Sequence, residues 1–239
     1  MILALYAIGD LHLSFGSDKP MDKFGGGWVN YIEKLKTGFQ ILKEKDVCIL
    51  CGDISWGMSL EESLDDFLFI DSLPGKKIIL KGNHDYWWDT VTKMNAFFQE
   101  NKIASVAILH NNCYEHEGAI ICGTRGWFTD EELNAAQNEK IMARETMRLR
   151  TSLQAAENIE KTDDHTKLCF FHYPPRFKNF VCRDIISTMS EFGVKKCIYG
   201  HLHGDGHRLA VCGMIEGIEY EIVSADYIDF TPKKVEYEK

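Results

Sequence analysis

The N-terminal stretch MILALYAIGDLH (residues 1–12) and two later stretches, VCILCGD (residues 47–53) and IILKGNHD (residues 78–85), share one pattern. In each, a short apolar run gives way to a glycine and then to polar residues. A similar change occurs in LCFFH (residues 168–172) and KCIYGHLH (residues 196–203). Apolar runs of this length without alternation are typical of strands that are buried on both faces. We therefore predict five buried strands, each followed by polar side chains.

Amphipathic stretches separate these runs and predict helices outside the sheets. The predicted strands are Ile2–Ile8, Val47–Cys51, Lys77–Leu80, Ala104–Leu109, Ala119–Cys122, Leu168–Phe171, Lys196–Tyr199, Leu209–Cys212 and Tyr220–Val223. The predicted helices are Trp28–Lys45, Leu60–Ser72, Trp88–Asn101, a long helix from Glu131 to about Glu160, and Phe180–Phe192. Early elements alternate between strand and helix, and the later strands follow one another closely. This order predicts packed sheets with helices outside, in a single domain over residues 1–239.

Two segments look like additions to this framework. The loop from Leu13 to Gly27 is long and ends in three glycines, and we expect it to form a flexible mouth loop. The predicted helix at about 131–160 looks like a helical insertion. Its apolar stripe predicts packing on the core, with a solvated face opposite, and the alternative is a lid or a partner surface. The stripe consists of Met142, Leu149, Leu153 and Ala156, and the other positions include Arg144, Arg148 and Arg150.

The composition is that of an ordinary globular protein. Apolar residues make up 45% and charged residues 26% of the 239 residues, which argues against disorder and fits one large α/β domain. The formal net charge of -9 argues against a long nucleic acid as the partner, because nucleic-acid binders usually present a basic surface. Carboxylates that bind metals would contribute to the same acidic excess.

The N-terminus and the cysteines predict a cytoplasmic protein without membrane association. The apolar segment Met1–Ile8 has no basic flank and is too short for the core of an export signal. No apolar run approaches the length that spans a membrane. The eight cysteines are therefore expected to be reduced thiols, including the C-x-x-C formed by Cys48 and Cys51. The histidines outside the clusters described next, such as His207, are expected to be solvated.

Polar side chains of a particular chemistry follow the five predicted strands. They are Asp10 and His12, Asp53, the trio Asn83, His84 and Asp85, the single His172, and the pair His201 and His203. Each alone is compatible with a turn residue or a helix cap. Because the carboxyl ends of strands gather ligand-binding groups in α/β sheets, five such clusters favour one common site. Oxygen and imidazole donors without thiolates suit Mn, Fe, Zn, Co or Ni better than Ca or Mg.

The order Asp-x-His, Gly-Asp, Gly-Asn-His-Asp, His and Gly-His-x-His over residues 10–203 resembles the signature of the calcineurin-like metallophosphoesterases. The resemblance implies an α/β fold, a four-layer αββα sandwich of two mixed sheets flanked by helices. It implies two metal ions, with Mn, Fe or Zn expected. By motif position, one metal would be held by Asp10, His12, Asp53 and His203, and the other by Asp53, Asn83, His172 and His201. His84 would protonate the leaving oxygen, and Asp85 would orient His84.

The implied activity is metal-dependent hydrolysis of a small phosphorylated substrate by attack of a bridging hydroxide on phosphorus. Protein phosphatases of this superfamily carry an arginine shortly after Gly-Asp, but the run Gly52–Met58 contains none. This difference favours a phosphodiesterase. The alternatives are a small-molecule phosphomonoesterase, a nuclease for short single strands and an inactive binding scaffold. The oligomeric state stays open.

Two further features are candidates for substrate contacts. Arg125, in the run Gly-Thr-Arg-Gly-Trp after the strand at 119–122, could bind a phosphate through its guanidinium or form a surface salt bridge. Tyr86, Trp87 and Trp88 could stack on a ring of the substrate, although packing at the start of a helix is the favoured interpretation.

Overall fold

The computed structural model describes residues 3–129, 132–159 and 165–238. Its strands are β1 (Leu5–Ile8), β2 (Val47–Leu50), β3 (Lys76–Ile79), β4 (Val106–Ile108), β5 (Tyr114–His116), β6 (Ala119–Thr124), β7 (Thr166–Phe171), β8 (Arg176–Phe177), β9 (Phe180–Val181), β10 (Lys196–Tyr199), β11 (Gly213–Ile215), β12 (Ile218–Ile222) and β13 (Lys233–Lys234). Its helices are α1 (Tyr31–Phe39), α2 (Leu64–Ser72), α3 (Val91–Glu100), α4 (Ala135–Glu157) and α5 (Arg183–Glu191). Short 3-10 turns cover Met21–Phe24, Gly26–Trp28 and Gly204–Leu209.

Most strands belong to two mixed sheets. The first sheet has the order β13-β1-β2-β3-β4, in which β1 to β4 are parallel and β13 is antiparallel to β1. The second sheet has the order β11-β12-β10-β7-β6-β5, with four parallel strands inside and an antiparallel strand at each edge. The strands β8 and β9 form a separate hairpin.

Three apolar layers hold the sheets and helices together. Leu5 and Ala7 of β1 face the second sheet and pack with residues such as Phe170 and Ile198. Because side chains alternate along a strand, Tyr6 and Ile8 point the other way, toward α1, α2 and α3. The outer face of the second sheet packs in the same way against α4 and α5. The result is the predicted four-layer αββα sandwich, in which both faces of the central strands are buried.

The helix α4 packs on the second sheet. Its apolar stripe is buried at Leu149, Leu153 and Ala156, as core packing requires. Asn134 and Gln137 form a capping box that fixes its start, so the helix begins at Ala135. The predicted bounds Glu131 and Glu160 lie outside the described residues. Among the helices of the described segments, none is both long and apolar enough to cross a membrane.

Several predicted boundaries were wrong, each for a local reason. No strand covers the predicted segment Leu209–Cys212, because Leu209 ends a 3-10 turn and β11 begins only at Gly213. Phe180 belongs to the β8–β9 hairpin, so α5 begins at Arg183. The helix predicted from Trp88 begins at Val91, because the Thr90 side chain accepts a hydrogen bond from the Lys93 amide and caps it.

Other helix predictions were too long. The helix α1 begins at Tyr31 and ends at Phe39, well inside Trp28–Lys45, and α2 begins at Leu64 rather than at Leu60. Cys48 packs against the helices while Cys51 faces the second sheet, so the C-x-x-C does not form a redox pair.

Candidate metal centre

Strand ends from both sheets meet at one edge of the sandwich. There the Gly9 amide donates to the Val223 carbonyl over 2.7 Å and connects the two sheets. The polar residues that follow β1, β2, β7 and β10 fall into two groups that have the composition of metal sites. The first group is Asp10, His12 and His203, and the second group is Asp53, His172 and His201. Within each group the potential ligand atoms lie within 4.8 Å of one another.

Asp53 lies between the two groups. Its Oδ2 atom is 3.7 Å from His12 Nε2 and 3.5 Å from His172 Nε2. The Asn83 carbonyl Oδ1 is 2.6 Å from the same His172 nitrogen and so adjoins the second group. The first and second groups are therefore neighbours, and the Asp53 carboxylate lies near a histidine of each.

The electrostatics of both groups favour a cation. Burial lowers the pKa of His12, His172 and His201 well below its ordinary value, so these imidazoles are neutral and offer a lone pair. Burial, with Asp85 and Asp10 nearby, raises the pKa of Asp53 well above its ordinary range. A cation would relieve this cost by stabilising the ionised carboxylate.

Within each group, histidine ring nitrogens also approach one another. His201 Nδ1 is 3.1 Å from His172 Nε2, and His12 Nε2 is 3.3 Å from His203 Nε2. Convergent lone pairs of carboxylate and imidazole, with no thiolate in either group, fit first-row transition metals. The residues present therefore fit a pair of metal ions.

The backbone at this edge is held in a costly conformation. Asp10, His12, Asp53 and His201 have φ values of 62°, 46°, 50° and 72°, in the left-handed region that non-glycine residues rarely adopt. Such strain persists where the surroundings over-determine the chain and is concentrated at functional sites. At Gly82, a Cβ atom would lie 2.1 Å from Asp53 Oδ1, so only glycine allows the loop after β3 to approach this carboxylate.

With this geometry established, comparison with known proteins identifies the family. The model of the calcineurin-like phosphoesterases matches residues 3–205. The chain belongs to the calcineurin-like phosphoesterase family. The phosphoesterase is thus a metal-dependent hydrolase, and the two ligand-type groups correspond to the dinuclear character of the family. No curated protein sequence matches it significantly.

Solved structures support the fold of the phosphoesterase. The phosphopantetheinyl hydrolase (PptH) from Mycobacterium tuberculosis is similar, with 14% identity, coverage of 98% of this chain and 96% of that chain, and a TM-score of 0.55. The protein TT1561 of Thermus thermophilus has 11% identity, coverage of 85% of this chain and 83% of that chain, and a TM-score of 0.52. Identities this low establish a common fold and nothing further.

Asp85 does not contact the His84 ring, which corrects the predicted orienting role. Its carboxylate accepts five hydrogen bonds, which come from the amides of Asp53, Ile54, Ser55 and Gly82 and from Trp87 Nε1. The carboxylate is fully buried, and its hydrogen bonds tie the loop after β2 to the loop after β3. Asp85 thus fixes the backbone that presents Asp53 and Asn83.

His84 is held by packing and by its own backbone. Its ring lies 4.4 Å from the Trp56 ring and 5.7 Å from the His12 ring between centroids. Its amide donates to Asp53 Oδ1 over 2.8 Å. The ring Nδ1 is buried, and no residue of the described segments hydrogen-bonds it. His84 therefore stands beside both ligand groups without belonging to either.

Asp226 is a site residue that was not predicted from the sequence. This residue follows β12, and its Oδ1 atom is 2.8 Å from His203 Nδ1, an arrangement that directs His203 Nε2 toward Asp10. Burial opposes a charge on His203, but Asp10 and Asp226 outweigh it and raise its pKa to about 10. His207 is half-buried rather than solvated, with Nε2 3.3 Å from Asp226 Oδ2. The signal for Asp226 was its place after a strand, which resembles that of the other clusters.

Arg125 lies outside both ligand groups. Its Nη2 atom is 3.6 Å from Oε1 of Glu145, a completely buried carboxylate, and its guanidinium lies 5.0 Å from the Trp127 ring. With only 15% of the Arg125 side chain exposed, this ion pair is internal, and the surface salt bridge that we considered is wrong. Binding of a phosphate by Arg125 stays a prediction.

An aromatic mouth opens over the first ligand group. A cavity of about 650 Å³ is lined by His12, His84 and His203 together with Trp28, Trp56 and the glycines 25–27. The predicted mouth loop therefore borders the centre. Of the aromatic run after His84, Trp87 packs in the core at 4.8 Å from the Phe67 ring, as the favoured interpretation required, while Tyr86 is exposed.

Proposed function

We propose that the phosphoesterase hydrolyses phosphodiesters with two metal ions bound at the strand-end edge. Asp10, His12 and His203 would hold one ion, Asn83, His172 and His201 would hold the other, and Asp53 would bridge them. The observation that carries this proposal is the position of Asp53 Oδ2 within 3.7 Å of a histidine from each group. Mn, Fe or Zn are the ions that this donor set suits.

Two bound cations would supply an activated water and neutralise charge on the phosphate. The protein itself would supply the proton for the leaving oxygen, from the ring of His84, which lines the mouth. Burial lowers the pKa of His84, but an anionic phosphate beside the ring would favour the protonated form. Asp85 would contribute through the backbone that it fixes, and not as a partner of His84.

The preference for diesters rests on the surroundings of the phosphate. The run after Asp53 contains Trp56 and no arginine, and the Trp56 ring stacks on His12 at 5.0 Å between centroids. The Trp56 ring adds no positive charge that could bind the second negative charge of a phosphomonoester. It also offers a surface on which the organic arm of a diester can pack.

We also propose a cytoplasmic location. All eight cysteines are free and six of them are buried, a pattern that suits a reducing compartment.

The experiment compares bis(p-nitrophenyl) phosphate with p-nitrophenyl phosphate, with added Mn²⁺ and with chelator. We expect metal-dependent cleavage with a higher kcat/KM for the diester. A higher kcat/KM for the monoester would overturn the diester preference and favour a small-molecule phosphatase. Turnover that survives complete removal of metal would overturn the proposed chemistry.

A further inference from the structure

A second pocket lies beside the ligand groups on the same edge of the sandwich. It has a volume of about 360 Å³ and is formed where β3, β4 and β6 end. We call it the basic pocket, and its charged lining residues include Lys81, Arg125, Glu145 and Arg148. Lys81 is two residues before Asn83, and the Arg125 carbonyl accepts a hydrogen bond from the amide of Tyr173, the neighbour of His172. The basic pocket therefore adjoins the second ligand group.

The charges in the basic pocket do not balance. Arg148 Nη1 is 2.7 Å and Arg125 Nη2 is 3.6 Å from the same oxygen of Glu145. Lys81 adds a third positive charge. Asp89, the other carboxylate of the lining, is already engaged by Lys93 over 2.9 Å. One buried carboxylate thus orients two guanidiniums and leaves an excess of positive charge that faces the cavity.

Hydrogen-bond donors in the basic pocket are also left without acceptors. The Nε atom of Arg125 is buried and has no hydrogen-bond partner among the described residues. Across the same segments, the ammonium of Lys81 makes neither a hydrogen bond nor an ion pair. Because Lys81 lines the cavity, a ligand there can supply the acceptors that its ammonium lacks. Oxyanions such as phosphate and carboxylate are the ligands that guanidinium and ammonium groups bind best.

The rest of the lining limits the size and shape of this ligand. Leu109 and the half-buried ring of Trp88 form an apolar part of the wall, and the Trp88 ring lies 5.9 Å from that of His110. The volume is at the lower end of ligand-binding pockets, so it accommodates the end of a molecule rather than a macromolecule.

We propose that the basic pocket binds a second oxyanion of the substrate, so that the phosphoesterase acts on phosphoesters whose non-leaving arm ends in a phosphate or a carboxylate. This inference rests on the proposed function, because it assumes that the reacting phosphate occupies the neighbouring ligand groups. Lys81, Arg125 and Arg148 would select the charged end of the arm, and Trp88 would pack against its apolar part.

The test uses pairs of p-nitrophenyl phosphodiesters whose second arm ends either in a carboxylate or in the matching primary amide, over a series of arm lengths. The readout is the ratio of kcat/KM for the acid to that for the amide, measured with the Mn²⁺-loaded enzyme. At the best arm length we expect a ratio of about 10 or more, since a hydrogen bond to a charged group contributes about tenfold in affinity.

Two variants test the basic pocket from different elements. Lys81→Met and Arg148→Met should each reduce the ratio to about one, while a general loss of activity would lower both substrates equally and leave the ratio unchanged. Arg150→Met is the control, because Arg150 lies on the same helix but pairs with Glu191 at the surface, 2.6 Å away. It should retain the wild-type ratio.

The contrary outcomes are distinguishable. Brisk turnover of both substrates with a ratio of one at every arm length would overturn the basic pocket inference and leave the proposed function intact. No turnover of either substrate by the metal-loaded enzyme would count against the proposed function itself. A ratio of one, with thermal stabilisation by sulfate that Lys81→Met abolishes, would overturn the substrate assignment and indicate a site for a free anion.

Discussion

The ligand groups and the basic pocket lie side by side at the same strand ends, yet their chemistry is opposite. In the ligand groups, carboxylate and imidazole acceptors converge, and burial raises the pKa of Asp53 and lowers that of His172. In the basic pocket, donors converge, and the Nε atom of Arg125 has no acceptor in the described part of the chain. A bound cation would therefore stabilise the ligand groups, and a bound anion would stabilise the basic pocket. The difference indicates one extended site, with cations at one end and an anion at the other.

Asp53→Asn tests the ligand groups, and we expect it to have the largest effect of the variants described here. Loss of the shared carboxylate should release metal from both groups and lower kcat/KM by at least about 10³-fold, because the cations carry the stabilisation of the phosphate charge. Metal analysis and hydrolysis of bis(p-nitrophenyl) phosphate measure both effects. Asp205→Asn, at a residue whose side chain is 93% exposed, is the matched control. Full metal content in Asp53→Asn would contradict the bridging role.

His84→Ala separates proton donation from metal binding. The backbone amide that donates to Asp53 is unchanged, so both metals should stay bound. On a diester whose leaving group is an alkoxide, kcat should fall by about 10²- to 10⁴-fold, because that oxygen needs a proton to leave. The comparison variant is His116→Ala, whose ring lies in β5 and contacts the backbone of Ala4. Unchanged turnover in His84→Ala would exclude His84 as the proton donor.

Asp85→Asn tests whether the edge depends on the loops that Asp85 joins. An amide group cannot accept the same five hydrogen bonds, and leaving two amides unsatisfied should lower the free energy of unfolding by about 2–4 kcal/mol. Chemical denaturation of the metal-free protein measures this change. If stability were retained while only turnover fell, the orienting role toward His84 would be restored.

Asp226→Ala should have the smallest effect. Without the carboxylate at its Nδ1, His203 would be a less well oriented ligand, and the affinity of the first group for metal should fall by about 10- to 100-fold. Turnover should return when excess metal is added, which a loss of the fold would not allow. Equal metal affinity in the wild type and in Asp226→Ala, determined by titration, would show that Asp226 does not position His203.

The ligand groups and the basic pocket also differ in how well the sequence predicts them. The ligand groups were predictable because every candidate ligand follows a strand, most of them within a local motif such as Gly52-Asp53 or His201-Leu202-His203. The apolar runs and the order of elements predicted packed sheets with helices outside, and the resemblance to the family implied four layers. The basic pocket has no such signal, because Lys81, Arg125 and Arg148 lie on separate elements that only the packing of α4 on β6 brings together.

Helix ends and individual hydrogen bonds were also harder to predict from the sequence, for a related reason. The start of α3 depends on one side chain, that of Thr90, and the β8–β9 hairpin displaces the start of α5. The resemblance to the family assigned Asp85 to His84, but in the structure its carboxylate meets the amides of another loop. Pairings of this kind depend on the approach of distant segments, which a single sequence does not reveal.

A dinuclear centre at the strand-end edge is tested most directly by titration of the metal-free protein with Mn²⁺ while hydrolysis of bis(p-nitrophenyl) phosphate is followed. We expect two ions to bind per chain and turnover to reach its plateau only when both are bound. Full turnover with no metal, or a plateau at a single ion per chain, would contradict a dinuclear centre at this edge.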